Sequence, residues 1–172
     1  LLAQEMQVQG NGDVITARGA VHTVLYNTGG STEARKIPVN SKSDQLVARR
    51  NDRRMELSGN VQIEDDTRTM TAEHAVFFFD ANRKIDHIDA DTKVTVVEAP
   101  THRKMNGDKA TYYVQKRMVY VNGAPATASD PTGSLAGEQI VLDITRNRMT
   151  VQSPGSEKSE IRYNQPATEK HP

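Results

Sequence analysis

Ser58-Gly59-Asn60-Val61-Gln62-Ile63 and Thr71-Ala72-Glu73-His74-Ala75-Val76-Phe77-Phe78-Phe79, separated by the charged turn Glu64-Asp65-Asp66-Thr67-Arg68, read as two neighbouring strands. The first piece alternates apolar and polar residues; the second gathers β-branched and aromatic residues in a run too short for a helix. Weaker copies of this pair occur on both sides of it at nearly even spacing.

The copies align on a small residue, usually glycine, that follows an apolar-x-apolar approach. They are Ile15-Thr16-Ala17-Arg18-Gly19, Met55-Glu56-Leu57-Ser58-Gly59, Val119-Tyr120-Val121-Asn122-Gly123 and Met149-Thr150-Val151-Gln152-Ser153, with a degenerate copy at Ile88-Asp89-Ala90. A second landmark, small then acidic, polar and apolar, recurs as Ser43-Asp44-Gln45-Leu46, Ala72-Glu73-His74-Ala75, Gly107-Asp108-Lys109-Ala110 and Gly137-Glu138-Gln139-Ile140. Two landmarks in step, with a period of roughly 30 residues, mark a supersecondary unit that buries its face only by stacking on the next. The expected fold class is all-β, an elongated twisted antiparallel jellyroll or sandwich open at both ends.

Strand boundaries follow from the turn signals. Gly10-Asn11-Gly12-Asp13 is a turn, and Asn27 to Ser31 breaks the strand before it, opening a polar insertion at 28–40. A strand resumes from Asp44 to Ala48, and Arg49-Arg50-Asn51-Asp52-Arg53-Arg54 reads as a solvated hairpin tip. Asn106-Gly107-Asp108 opens the strand Ala110 to Val114, and Ala124-Pro125 ends the next, because proline cannot donate to a ladder. Residues 1–153 form one domain and 154–172 a polar tail, with an edge strand near 161–163.

Alternation along the return strands and the central pair gives one inward apolar phase. It comprises Leu46 and Ala48; Val61 and Ile63; Ala75, Phe77 and Phe79; Val94 and Val96; Ala110, Tyr112 and Val114; and Ile140, Leu142 and Ile144. Phe78 faces the other way, either as a single exposed ring or as part of a surface for an apolar ligand or partner sheet.

Composition narrows the function. With 22 Lys and Arg against 22 Asp and Glu, no net field favours a polyanion, though a local basic patch is compatible with that balance. Hydrophobic residues make up 35% and charged residues 26%, lean for a thick core and sufficient for a thin two-layer sheet. There is no cysteine, hence no disulfide or thiolate site. No apolar run reaches the roughly 18 residues of a spanning helix. Leu1-Leu2-Ala3-Gln4 resembles neither a basic leader nor a signal core, which leaves export open.

No catalytic constellation stands out: the five histidines are scattered, and no serine sits in a G-x-S-x-G elbow. His87-x-Asp89-x-Asp91 would place three potential metal ligands on one side of a strand, a pattern equally ordinary for a solvent-facing strand. No enzyme activity, metal or cofactor is expected. Gly10-x-Gly12 precedes a strand where a phosphate-binding loop needs a helix.

The phrases Ile15-Thr16-Ala17-Arg18-Gly19-Ala20-Val21, Leu57-Ser58-Gly59-Asn60-Val61, Thr71-Ala72-Glu73-His74-Ala75 and Met105-Asn106-Gly107-Asp108-Lys109-Ala110-Thr111-Tyr112 resemble the OstA-like repeats of the LptA family, shared with LptC and the N-terminal region of LptD. The resemblance runs from about Met6 to Val151; the insertion at 28–40 and the tail after Pro154 depart from it. It implies a non-enzymatic periplasmic protein of Gram-negative cells that carries lipopolysaccharide from the inner to the outer membrane with the acyl chains in an apolar groove. The inward phase then supplies the acyl-contact candidates Leu46, Val61, Ile63, Ala75, Phe77, Phe79, Val94, Val96, Tyr112, Val114, Ile140, Leu142 and Ile144. Implied partners are lipopolysaccharide and other jellyrolls of the family joined head to tail through edge strands, including copies of this chain. Two other classes fit the residues: a dry structural or adhesin-like repeat scaffold, and a carbohydrate-binding β-solenoid. The absence of tryptophan and 5% aromatic content count against the latter.

Overall fold

The computed structural model describes residues 1–26 and 38–152, together with the backbone of 160–163. Ten strands run in sequence order, each antiparallel to the next: β1 (Glu5–Gln9), β2 (Val14–Tyr26), β3 (Pro38–Arg49), β4 (Arg54–Glu64), β5 (Arg68–Phe79), β6 (Ile85–Glu98), β7 (Arg103–Tyr113), β8 (Met118–Asp130), β9 (Gly133–Asp143) and β10 (Arg148–Gln152). An eleventh, β11 (Glu160–Tyr163), pairs with β9 beside β10. A single 3-10 turn, Gly10–Gly12, joins β1 to β2. No helix among the described residues is long and apolar enough to cross a membrane.

The two landmarks keep step because they are the two sides of one bulge. In β2, β4 and β6 two consecutive residues, Gly19-Ala20, Gly59-Asn60 and Thr92-Lys93, sit at positive φ in mid-strand. The register slips there, leaving two residues unpaired opposite the single Asp44, Glu73 and Asp108. In β8 three residues, Gly123 to Pro125, are left unpaired opposite the single Glu138. A two-against-one bulge bends a strand and sharpens its twist. Glycine is required where the chains close up: a Cβ on Gly59 (φ +75°) would strike the Asp44 carboxylate, and one on Gly107 would lie 2.5 Å from the Asn122 carbonyl oxygen. Asn60 Nδ2 donates to Asp44 across the bend at 2.9 Å.

Several expected boundaries therefore move. The landmark glycines do not end strands; they lie at the bend inside them. Ala124-Pro125 does not terminate β8, since Pro125 occupies an unpaired bulge position where its missing N–H costs no ladder bond. Asn106-Gly107-Asp108 lies within β7, and β3 begins at Pro38, before Asp44. The insertion read at 28–40 falls outside the described residues except for Pro38–Asn40, which open β3.

Among the described residues no second element covers the sheet, yet Leu57, Ala75, Phe77, Ile88, Met105, Ile140 and Leu142 have no exposed surface. A lone sheet achieves this only by folding its own strands over, with the row of bulges as the crease. The first layer holds 14–18, 45–49, 54–58, 74–79, 85–91, 109–113, 118–122 and 139–143, with β1 and β10 at its two edges. The second holds 21–26, 38–42, 61–64, 68–71, 94–98, 103–106, 126–130 and 133–137, with β11. Apolar side chains of both layers form one core. Opposite the crease, the hairpin tips of the two layers face each other along a seam.

Candidate functional site

The sequence-derived acyl-contact candidates lie on the inner faces. Leu46, Val61, Ile63, Ala75, Phe77, Val94, Val96, Ile140 and Leu142 are buried, and Phe79, Tyr112, Val114 and Ile144 are partly buried against them. Between the layers near Val39, Ile63, Met70, Val96, Tyr112 and Val119 the free space is about 20 Å³. That holds about one water molecule and no alkyl chain.

Over β5 to β10 the seam is closed by charge. Asp65 Oδ2 lies 3.1 Å from Arg68 Nη2, Arg68 Nη1 3.6 Å from Glu98 Oε1, Glu98 Oε2 3.4 Å from Arg103 Nη1, and Arg103 Nε 3.8 Å from Asp130 Oδ2. Signs alternate strand by strand, and the side chains of Asp65, Arg68 and Glu98 are less than a tenth exposed. From the facing layer the Tyr112 hydroxyl donates to Asp65 at 3.4 Å, its ring 5.8 Å from the Arg68 guanidinium. Burial, reinforced by the Asp65 charge, pushes the Tyr112 hydroxyl up to about 12. Farther along, Arg103 Nη1 donates to Asn147 Oδ1 in the β9–β10 tip at 2.5 Å. These are contacts between layers, and they shut this half of the roll.

Among the described residues, the N-terminal half is open. A groove of about 680 Å³ runs between the tips, floored by Ile15, Leu25, Ala48, Met55 and Phe79. Its rim is Gly12 and Asp13, the β3–β4 tip with Arg49, Arg50, Arg53 and Arg54, and Ala81 and Arg83 of the β5–β6 tip. The arginine tip is held on both sides by backbone: Arg50 N–H donates to the Asp13 carbonyl at 2.8 Å, and Phe79 N–H to the Arg53 carbonyl at 2.9 Å. Arg49 and Arg54 share the Glu56 carboxylate at 2.9 and 2.6 Å, which relieves the repulsion of two like charges directly opposite in the ladder. The inner faces here are also more polar. Thr23, Ser41 and Ser43 are buried, the first two hydroxyls bonded to each other.

Of the candidate residues, Phe79 alone lines this groove. Ala48, of the same inward phase, also floors it; Ile15, Leu25 and Met55 complete the floor and are absent from that phase, Ile15 and Met55 because they belong to the glycine-bearing strands. Their signal in the sequence is the apolar-x-apolar approach to each glycine. The arginine tip, read as a solvated turn, is the rim of a cavity.

On the outer face a more polar hollow of about 450 Å³ lies beside the bulges, lined by Asp108, Lys109, Asn122, Gly123, Ala124, Glu138 and Gln139, and the aromatic side chains lie apart from it. Phe78 stacks on His87 (4.4 Å, 13°), Tyr113 lies tilted against His87 at 5.6 Å, and Tyr120 meets Tyr113 edge to face at 5.8 Å. The Phe78 and His87 rings turn their faces to each other and offer no flat platform. His87 Nδ1 pairs with Asp86 at 2.8 Å, while Asp91 is taken by His74 at 3.0 Å and held by that bond below the usual carboxylate range. Of the trio His87, Asp89 and Asp91, Asp89 accepts from the Thr111 hydroxyl at 2.7 Å and lies 3.9 Å from His87 Nε2, while Asp91 is turned to His74; among the described residues no group of three ligands is positioned for a metal.

A family model described as the LptA/(LptD N-terminal domain) LPS transport protein matches residues 40–148. Among solved structures the chain is similar to LptH, the LptA homologous periplasmic component of the conserved lipopolysaccharide transport device from Pseudomonas aeruginosa. The TM-score is 0.67 at 17% identity, over 77% of this chain and 98% of that one, a likeness that carries the fold. No curated protein sequence matches the chain. The matched span exceeds half of the sequence, and the protein belongs to the LptA/(LptD N-terminal domain) family of LPS transport proteins.

Proposed function

We propose that this protein is a non-enzymatic periplasmic carrier that shelters lipopolysaccharide acyl chains in the groove of its N-terminal half and forms part of a bridge from the inner to the outer membrane. The observation that carries the reading is the groove: an apolar floor packed against the core, with about 680 Å³ of space above it. Each methylene moved from water onto such a floor gains roughly 0.8 kcal/mol. Phe79 meets the chains first. The remaining inward residues meet them where the layers part, which requires breaking the seam contacts of Tyr112 and Arg103. A dry scaffold would bind no amphiphile. Purified protein should bind lipopolysaccharide and release a hydrophobic dye; Phe79→Arg should abolish this, while His74→Ala and His87→Ala should leave it unchanged. A histidine variant that keeps its fold and loses binding would sink this account of the site.

Bridging rests on the ends. Met6 and Val8 of β1 face the same side as Ala17 and Ile15, yet they remain 52% and 59% exposed because nothing stacks beyond them. The outer edge of β1 has no neighbour among the described residues. At the far end β10 and β11 both pair with β9, so the tail returns to the sheet and itself becomes the edge. Unlike edges on one molecule favour head-to-tail, non-closing association with copies of itself and with family relatives. Sedimentation over a wide concentration range, on the intact chain and on one cut after Ser153, tests it. Monomers throughout, with no pairing to family relatives, would refute the bridge.

A further inference from the structure

We infer that the arginine tips of the first layer are an anion subsite that holds the phosphate headgroup of the amphiphile in the groove. The inference rests on the groove reading above and adds where the head lies. The turns at Asn11, Arg53, Arg83, Arg117 and Asn147 each hold one non-glycine residue at positive φ, between 50° and 62°. That conformation suits glycine and asparagine, and a long side chain adopts it at a cost. The outermost two tips carry asparagine there; the three between them carry arginine. Turn geometry alone gives no reason for that choice.

The charges are also unspent. Among the described residues Arg50, Arg53, Arg83 and Arg117 are exposed, with no carboxylate within ion-pair distance. By contrast Arg49 and Arg54 share Glu56, and Arg68 and Arg103 lie among Asp65, Glu98 and Asp130. Asp80, in the Arg83 turn, spends its carboxylate on the backbone N–H groups of Asn82 and Lys84. With 22 basic and 22 acidic residues overall, this excess is a local property. Neighbouring tips are two strands apart, so successive arginines stand roughly 10 Å from one another along the rim. A guanidinium fork matches phosphate oxygens in pairs, and directly below it lies the apolar floor. Such a site selects a molecule that is anionic at one end and aliphatic at the other.

The test uses the full chain and four probes, the amphiphiles as monomers in solution: dodecyl phosphate, dodecyl maltoside, inorganic phosphate and hexaglutamate. Dodecyl phosphate should bind at least about 10-fold tighter than dodecyl maltoside, the advantage shrinking as salt is raised. In Arg53→Asn/Arg83→Asn, whose new residues suit the turns, dodecyl maltoside affinity should hold and the two amphiphiles should come within about twofold of each other. Equal affinities in the wild-type protein, or a preference unchanged in the double variant, would overturn the subsite and leave the groove standing. Failure of both amphiphiles to bind would remove the groove and the subsite together. Inorganic phosphate binding as tightly as dodecyl phosphate would mark an adventitious ion only, and hexaglutamate doing so would reassign the rim to an acidic protein segment.

Discussion

The two halves of the roll are built from one repeat and treat their seam in opposite ways. From β5 onward, hairpin tips of the second layer carry a buried, sign-alternating run from Asp65 to Asp130 that meets Tyr112 and Asn147 across the gap. Over β2 to β5 the tips present arginines to solvent, and the gap holds about 680 Å³. The crease is alike in both halves, since the bulges recur at every level, so opening is decided at the tips. Under the proposed function, admitting a long amphiphile and holding the fold together are tasks separated along its length.

The comparison is broken most severely in the core. Phe77 and Phe79 share one strand and one inward phase; Phe77 has no exposed surface and Phe79 lines the groove. Phe77→Ala should cost about 3–5 kcal/mol by denaturant unfolding, Phe79→Ala about 1 kcal/mol. Equal costs would mean that the groove is as tightly packed as the closed half.

Next in size is the seam. Glu98 lies between Arg68 and Arg103, and Glu98→Gln leaves the buried Arg68 with Asp65 alone and the partly buried Arg103 with Asp130 alone as carboxylate partners. The expected loss is about 3 kcal/mol, with faster hydrogen exchange confined to β5 to β8. Glu56→Gln, between the half-exposed Arg49 and Arg54, should cost under about 1 kcal/mol.

Tyr112 gives the seam a pH signature. Its folded value, about 12, lies above the ordinary 10.0. The stabilisation is therefore complete below pH 10 and fades as pH rises through 12. Tyr112→Phe should flatten the fall in stability across that window. A profile unchanged in the variant would show that the hydroxyl is not buried against Asp65.

The smallest effect has the opposite sign. Arg53→Asn relieves a positive-φ arginine and should raise stability by about 1 kcal/mol, a gain visible as a higher midpoint in urea.

The fold was legible because its signal is redundant. Gly59 and Asp44 are distant in sequence but touch at one bulge, so a pattern in one strand is echoed in its neighbour. The limits of β7 and β8 were not legible: Gly107 and Pro125 look like strand ends to any local rule, and only the partner strand reveals that pairing resumes beyond them. The inward phase was legible for the same reason as the fold, since alternation at Ile140 and Leu142 needs no tertiary knowledge. The groove was not. It depends on two layers failing to meet, and nothing local distinguishes the arginines at 53 and 83 from those of any solvated turn. The seam pair Tyr112 and Asp65, 47 residues apart, is likewise invisible to spacing.

The central claim is that lipid occupies the N-terminal groove and that the closed half stays shut until the layers part. Its most direct test places a photoreactive phenylalanine analogue singly at Phe79, at Ile144 and at outward-facing Tyr120, followed by irradiation with lipopolysaccharide. The account predicts a strong adduct at position 79, a weak one at 144 that rises when Tyr112→Phe and Arg103→Gln loosen the seam, and none at 120. Equal adducts at 79 and 144 in the otherwise unaltered protein would contradict it.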